Sequence, residues 1–231
     1  MITVVIPTLN QAATLPRVLA ALVPAAVDGL VRSVVVADGG SSDATVGIAD
    51  AAGALVVGSP RGRGGQLGAG ARAARGEWLL FLHGDTVIEP GFEAELADFC
   101  SGAGRFSGLP AERAAAFRFA LDDGGFRASL VALAVQLRCA LFGLAYGDQG
   151  LVLSRAFYDR LGGYRNLPLM EDVDLVRRIG RGRMTMLRSR AITSAARYRR
   201  GGYARRVARN ALCLALYYLG VPPGRIARIY G

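Results

Sequence analysis

The sequence predicts an α/β fold in which helices flank a mostly parallel central sheet. Apolar, β-branched runs at Thr3–Pro7 and Ser33–Ala37 end in small or polar residues. This is the pattern of buried parallel strands whose carboxyl ends open into a binding crevice. Segments long enough for helices separate the apolar runs, which indicates βαβ units with right-handed crossovers.

The first part of the chain alternates regularly between strand and helix. Thr14 is a favourable N-cap, and Pro16 falls in the first helical turn, where a missing N–H costs little. Ser42 or Asp43 can cap the second helix. The predicted strands are Thr3–Pro7, Ser33–Ala37, Ala54–Gly58 and Trp78–His83, and the predicted helices are Thr14–Ala26, Ser42–Ala52 and Gly65–Ala74.

The second part of the chain has a less regular pattern. Acids begin and arginines end the segment Glu171–Ile179, which complements a helix dipole. The other predicted helices are Phe126–Phe142 and Arg155–Leu161, and the predicted strands, some of them in a mixed sheet, are Gly102–Gly108, Ala114–Leu121, Gly150–Ser154 and Met184–Leu187.

Length and composition fit one α/β domain with a small appendage. The chain has 231 residues and a formal net charge of +10, and all 28 of its basic residues are arginines. Codon usage in a GC-rich genome explains this excess, and so does attraction to phosphates or to an anionic membrane surface. The three scattered cysteines argue against a zinc site and favour a cytoplasmic location. No apolar stretch reaches the ~20 residues of a membrane-spanning helix.

Polar residues follow the first two predicted strands. Thr8 and Asn10 follow the first strand, and Asp38 follows the second. Backbone amides and a short acid at such a crevice can hydrogen-bond a base or a ribose. Asp38 can equally be a turn or cap residue.

A glycine-rich loop runs from Arg61 to Gly68. It matches neither the dinucleotide-binding nor the P-loop pattern, so a flexible loop before a helix explains it equally well. Arg61 and Arg63 remain candidates for pairing with a diphosphate.

The fourth predicted strand ends in the only histidine of the chain, and an acid follows two residues later. Asp85 can hold Mg²⁺ or Mn²⁺ together with substrate phosphates, and His83 can be a second ligand that suits Mn²⁺ better. His83 can instead be a core histidine held by a hydrogen bond.

Two further acidic segments lie downstream. Glu171 and Asp172 begin a predicted helix, where they either complement its dipole or supply a general base. Asp148 and Gln149 lie between glycines, in a tight turn or in a loop that faces a sugar or an acceptor.

The motifs described above lie in four segments: Val4–Asn10, Val36–Thr45, Gly76–Asp85 and Leu169–Leu175. Taken together and in this order, the segments resemble family 2 glycosyltransferases, which have the GT-A fold. The resemblance covers roughly residues 1 to 190 and is nearest to a compact bacterial subgroup with a His-x-Asp-Thr motif, some members of which are assigned to arsenosugar synthesis.

The resemblance implies an inverting transfer from a nucleotide-diphosphate sugar to a hydroxyl acceptor. Asp172 would be the base, assisted by Glu171. Asp85 and His83 would hold Mn²⁺ or Mg²⁺, although His83 replaces the first acid of the family's D-x-D motif. The other implied contacts are Pro7, Thr8, Asn10, Asp38, Gly39, Arg61, Arg63 and Gly84 for the nucleotide donor, and Asp148 and Gln149 for the sugar or acceptor.

The resemblance also implies a domain arrangement and partners. A catalytic domain, residues 1–200, would consist of a nucleotide-binding half to about residue 100 and an acceptor half, with a basic and apolar helical extension at 201–231. We expect a UDP- or GDP-sugar donor and a small-molecule or lipid-linked acceptor. We expect no nucleic acid, because aromatics do not interleave with the basic residues.

The extension can contact the inner face of a membrane, pack on the domain or form a homodimer. Two other functions stay open, a sugar-phosphate nucleotidyltransferase of similar fold and a non-catalytic nucleotide-binding protein at a membrane. The segment Leu9–Ala13 argues against the nucleotidyltransferase, because it lacks a basic glycine-rich loop after the first strand.

Overall fold

Eight strands form one sheet in the computed structural model, which describes residues 1–109 and 112–230. β1 is buried along its whole length, as its continuous apolar run predicts. The strands are β1 (Ile2–Thr8), β2 (Val31–Asp38), β3 (Leu55–Gly58), β4 (Trp78–Phe81), β5 (Thr86–Ile88), β6 (Ala114–Leu121), β7 (Leu151–Ser154) and β8 (Met184–Thr193).

The sheet is mixed, with the strand order β3-β2-β1-β4-β7-β6-β8-β5. The first four strands of that order are parallel, and β7 is antiparallel to both of its neighbours. Leu151, the first residue of β7, pairs with Phe81, the last residue of β4, so the two strands must run in opposite directions. The predicted α/β fold is confirmed, and the sheet is less parallel than predicted.

Helices cover both faces of the sheet. Successive residues of β1 point to opposite faces: Ile6 packs in the same apolar cluster as Val18 of α1, and Val5 packs with Leu67 of α3 and Leu175 of α7. The helices are α1 (Leu15–Val27), α2 (Thr45–Ala51), α3 (Arg63–Ala73), α4 (Phe92–Ser101), α5 (Phe126–Phe142), α6 (Arg155–Arg160), α7 (Glu171–Ile179), α8 (Ala196–Gly201), α9 (Tyr203–Tyr218) and α10 (Pro223–Tyr230).

The predicted strand at Gly102–Gly108 is wrong. Gly102 ends α4 in a left-handed conformation (φ 74°), and a short 3₁₀ helix follows at Gly104–Phe106. The predicted strand Trp78–His83 ends at Phe81, so His83 lies in a loop and not on an extended strand.

Within residues 201–230, α9 and α10 pack against the rest of the chain. Cys213 of α9 and Ile226 of α10 are fully buried, in one apolar cluster with Leu144, Met170 and Val173. Gly231 lies outside the described residues. In residues 1–109 and 112–230, the structure contains no helix that is both long and apolar enough to cross a bilayer.

Candidate active site

A cavity of about 500 Å³ lies where the loops after β1 and β4 meet the beginning of α7 and the C-terminal helices. The structure therefore brings together residues that the sequence keeps far apart. Eight of the predicted site residues line the cavity: Pro7, Thr8, Arg63, His83, Asp85, Asp148, Glu171 and Asp172.

The other six predicted site residues do not line this cavity. Two of them hold the loops around it. Asn10, in a left-handed conformation (φ 54°), accepts a hydrogen bond from the Ser42 amide at 2.9 Å. The carbonyl of Gly84 accepts a hydrogen bond from the Thr14 hydroxyl at 2.6 Å. The six residues are Asn10, Asp38, Gly39, Arg61, Gly84 and Gln149.

Asp38 lies directly behind the cavity wall. It is buried, and it accepts hydrogen bonds from the Thr8 hydroxyl at 3.0 Å and from the Gly40 and Ser41 amides at 2.9 and 2.7 Å. Burial acts to raise the pKa of Asp38, but the hydrogen bonds from Ser41, Thr8 and Gly40 outweigh it, and the pKa is lowered. An ionised Asp38 thus fixes both Thr8 and the turn after β2.

Gln149 organises the neighbouring turn from inside the protein. Its amide donates to the Phe117 carbonyl at 3.1 Å and accepts from the Tyr146 amide at 3.1 Å. Only 1% of Gln149 is exposed. Arg61, in contrast, is exposed to solvent outside the cavity.

Arg63 brings a positive charge to a cavity wall that is otherwise acidic. Its guanidinium lies 3.7 Å from the Glu171 carboxylate. Burial acts to lower the pKa of Arg63. The carboxylates of Glu171, Asp172 and Asp85 outweigh that effect and raise it. Gly64 allows the beginning of α3 to lie this close to the chain before α7, because a Cβ at position 64 would collide with the Arg165 carbonyl oxygen.

Two acids on the same wall hold their protons unusually strongly. Burial, reinforced by Asp172, raises the pKa of Glu171 to about 7. Burial likewise raises the pKa of Asp148 to about 6, against the opposing effect of Arg138. The Asp148 Oδ1 atom is buried and has no hydrogen-bond partner among the described residues. Raised carboxyl pKa values of this kind are typical of functional clefts.

Asp172 and His83 approach each other on either side of Gly147. The Gly147 amide donates to Asp172 Oδ2 at 2.9 Å, and the Val173 amide donates to Asp172 Oδ1 at 2.7 Å. A Cβ on Gly147 would lie 2.6 Å from His83 Nε2 and 3.6 Å from Asp172 Oδ2. Only glycine therefore lets this backbone pass between the two side chains.

Gln66 was missed by the sequence reasoning. It is buried beside the cavity, and its amide donates to the Thr8 carbonyl at 2.6 Å and to the Ala37 carbonyl at 3.0 Å. It thereby ties α3 to the ends of β1 and β2. Its position three residues after Arg63, on a helix made mostly of small residues, is the sequence feature that could have identified it.

The C-terminal helices supply a second wall that was also missed. Arg206, Asn210 and Cys213 follow one face of α9 at spacings of four and three residues, and all three line the cavity. Tyr230 of α10 accepts a hydrogen bond from Arg206 at 3.2 Å. The i, i+4, i+7 spacing can be read from the sequence, but the surface against which this face of α9 packs cannot.

The donor set suits a divalent cation that is shared with a substrate. Among the described residues, no group of three or more His, Cys, Asp or Glu side chains forms a complete metal site. Asp85 and His83 nevertheless line the same cavity. Magnesium-type ions bound with phosphates commonly use only one or two protein carboxylates, so this incomplete set fits.

Four parallel strands joined to four strands of mixed direction, with polar loops converging on one cavity, are the arrangement of the GT-A fold. Residues 3–104 match the family model described as glycosyl transferase family 2. A search of curated protein sequences found no match. This match confirms the predicted resemblance to family 2 glycosyltransferases over these residues.

Solved structures match over nearly the whole chain. Glucosyl-3-phosphoglycerate synthase from Mycobacterium tuberculosis, in complex with Mn²⁺, UDP and phosphoglyceric acid, is 25% identical, with 96% of this chain and 79% of that chain covered and a TM-score of 0.59. Its complex with Mn²⁺ and UDP-glucose gives 24% identity, coverage of 96% and 80%, and a TM-score of 0.60. These similarities confirm the predicted fold.

Proposed function

We propose that this chain is a metal-assisted, inverting glycosyltransferase that moves a sugar from a nucleotide-diphosphate sugar to a hydroxyl acceptor. One observation carries the proposal. Thr8 at the end of β1, Asp85 after β4 and Asp172 in α7 line one cavity, although they are far apart in sequence. That convergence supports roles for Thr8 as a nucleotide contact, for Asp85 as a metal ligand and for Asp172 as the base.

UDP is the donor nucleotide that the comparisons favour. The similar enzyme from Mycobacterium tuberculosis has been solved with UDP and Mn²⁺ and with UDP and Mg²⁺. In this chain, Asp85 and His83 would hold the cation, and Arg63 would pair with phosphate oxygens. The bound cation would neutralise charge that develops on the departing diphosphate. A GDP-sugar remains the alternative donor.

The transfer needs one base and one in-line displacement. The acceptor oxygen bonds to the anomeric carbon as the bond from that carbon to the diphosphate oxygen breaks, and the electron pair leaves with the nucleoside diphosphate. The acceptor proton passes to Asp172. Each Asp172 oxygen accepts one backbone N–H, so lone pairs remain for that proton.

Glu171 and Asp148 would tune the acceptor side. The Glu171 carboxyl interacts electrostatically with both Asp172 and Arg63. Its protonation state therefore changes the electrostatic potential at Asp172, the proposed base. The buried Oδ1 of Asp148 points to a role in holding a hydroxyl of the sugar or acceptor.

A small-molecule acceptor is the class that the comparisons favour. The acceptor named for the similar enzyme, phosphoglyceric acid, is a small molecule, which favours a small-molecule acceptor over a lipid-linked one. Homodimer formation remains a prediction.

Ligand-induced stabilisation tests the proposal directly. We expect UDP with Mn²⁺ to raise the melting temperature, because a ligand that binds only the native state stabilises it by mass action. GDP with Mn²⁺ and adenosine diphosphate with Mn²⁺ serve as the comparison ligands. The absence of a shift with every nucleoside diphosphate would contradict the proposal.

A further inference from the structure

Helix α5 is apolar on both of its faces. Its buried face packs Ala128, Val131 and Cys139 against the sheet side. The opposite face exposes four large apolar side chains at spacings of four, three and four residues, which places them in one stripe along the helix. These are Phe126, Leu130, Leu133 and Leu137.

Helix α9 lies against α5 and has a similar exposed face. Tyr203 of α9 packs in the same apolar cluster as Val131 of α5. Along α9, the exposed large apolar residues are Val207, Leu212 and Tyr218, and Leu219 follows directly. The other exposed positions between Val207 and Tyr218 are all alanine: Ala208, Ala211 and Ala215.

We call the exposed apolar side chains within Phe126–Leu137 of α5, and within Val207–Leu219 in and directly after α9, the α5–α9 face. Isolated apolar side chains on a surface are ordinary, but stripes on two adjacent helices are typical of a binding surface. The face lies outside the residues that line the cavity, so glycosyl transfer does not account for it.

Positive charge predominates around the α5–α9 face, where Asp122 and Asp123, just before α5, pair with Arg199. Residues 175–231 contain fourteen arginines and no acidic residue, and α5 contains two arginines and no acid. Arg200, Arg205, Arg225 and Arg228 are exposed on the C-terminal helices. None of these four has an acidic partner within the part of the chain that the structure describes.

We propose that the α5–α9 face docks on an anionic lipid bilayer. Apolar helix stripes with flanking arginines bind at the boundary between headgroups and acyl chains, and each arginine near an anionic surface adds attraction. A second copy of the chain fits less well, because pairing two such faces would bring two arginine-rich surfaces together.

Vesicle sedimentation tests this proposal independently of enzymatic activity. We expect binding to phosphatidylcholine vesicles that contain one third phosphatidylglycerol to be at least about tenfold stronger than binding to phosphatidylcholine alone. The double variant Leu130→Ser/Leu133→Ser should lose at least about tenfold of that binding. The control Leu55→Ser should not, since Leu55 on β3 is exposed to a similar extent (53%, against 48% and 52%).

The charge contribution has its own matched pair of variants. Arg200→Gln/Arg205→Gln should reduce the preference for phosphatidylglycerol about tenfold, whereas Arg17→Gln, which removes an exposed arginine of α1, should leave it unchanged. Each variant must keep a cooperative melt and wild-type UDP binding. If the leucine pair fails to fold, Leu137→Ser takes its place with the same criterion.

Three results would overturn the proposal. The first is equal binding, or no binding, to the two kinds of vesicle. The second is unchanged vesicle binding by the leucine variant. The third is a dimer in sedimentation velocity that the leucine variant abolishes while vesicles stay unbound, which would assign the face to a second copy.

Discussion

The carboxyl groups on the two sides of the cavity differ in the direction of their pKa shifts. On the side formed by the loops after β1 and β2, which we propose as the nucleotide side, hydrogen bonds lower the pKa of Asp38 and, chiefly through the Thr45 hydroxyl, that of Asp43. On the opposite side, which we propose as the acceptor side, burial raises the pKa of Asp148 to about 6 and that of Glu171 to about 7. The first pair favours the anion, and the second pair favours the proton.

This difference indicates which side of the site stabilises the folded protein. The anions of Asp38 and Asp43 satisfy the backbone amides of the loops after β1 and β2, so ionisation stabilises those loops. Ionising Glu171 or Asp148 instead costs stability, since burial penalises both charges. Groups that weaken the fold in this way are expected where function requires them.

The largest effect should follow from removing the proposed base. We expect Asp172→Asn to lower sugar transfer about a thousandfold, since general base catalysis contributes on that scale, while UDP binding stays near wild type. Turnover of UDP-glucose measures the first quantity, and calorimetric titration measures the second. Asp159→Asn, at an exposed position on α6, is the control. Unchanged transfer by Asp172→Asn would remove this residue as the base.

A methyl group at Gly147 should disturb the same side through geometry alone. Gly147→Ala places a Cβ 2.6 Å from His83 Nε2, so His83 or the loop must move. We expect about a hundredfold loss of transfer, because small misplacements at a reacting centre are costly. Gly124→Ala is the matched control, since a Cβ there meets nothing within 4 Å in the part of the chain that the structure describes. Equal activity of the two variants would refute this geometry.

Removing the Asp38 charge should weaken the nucleotide side. We expect Asp38→Asn to lower the free energy of unfolding by about 2 kcal/mol, since a buried, charged hydrogen-bond acceptor is lost. The loss should be largest at neutral pH. It should shrink as the pH falls below the ordinary value of 3.8, because a lowered pKa stabilises only the ionised form.

Urea unfolding at several pH values measures the Asp38 effect. Asp50→Asn, at an exposed position on α2, serves as the control. A loss of stability that does not depend on pH would show that the Asp38 charge is not the cause.

Replacing Glu171 should have a smaller effect of the opposite sign. Because its pKa is raised, the stability of the wild type should fall as the pH rises from 4.5 to about 7. Glu171→Gln removes that cost, so we expect it to exceed the wild type in stability by about 1 kcal/mol above neutral pH and to show no gain in acid. Urea unfolding on both sides of this window measures it. A variant that is less stable at every pH would contradict the assigned shift.

The sequence predicted the nucleotide side better than the acceptor side. β1 and β2 have long apolar runs, and the polar residues at their ends must meet because parallel strands end at the same edge. Asp38 supports Thr8 and its own turn, which agrees with the turn role that the sequence also allowed, and its contact with a nucleotide stays a prediction.

The acceptor side depends on packing over long sequence distances. Arg206 and Tyr230 reach the cavity only because α9 and α10 fold back onto α7, which no local pattern specifies. The raised pKa of Glu171 likewise arises from burial, a tertiary property. The wrongly predicted strand at Gly102–Gly108 shows that local sequence patterns can also mislead. Gly102, in a left-handed conformation, ends a helix there.

Calorimetric titration of UDP in the presence of Mn²⁺ tests the central claim most directly. We expect one UDP site per chain in the wild type and retained UDP binding in Asp172→Asn. UDP binding to Asp85→Asn should be at least about tenfold weaker. UDP that fails to bind the wild type, or that binds Asp85→Asn as tightly as the wild type, would contradict it.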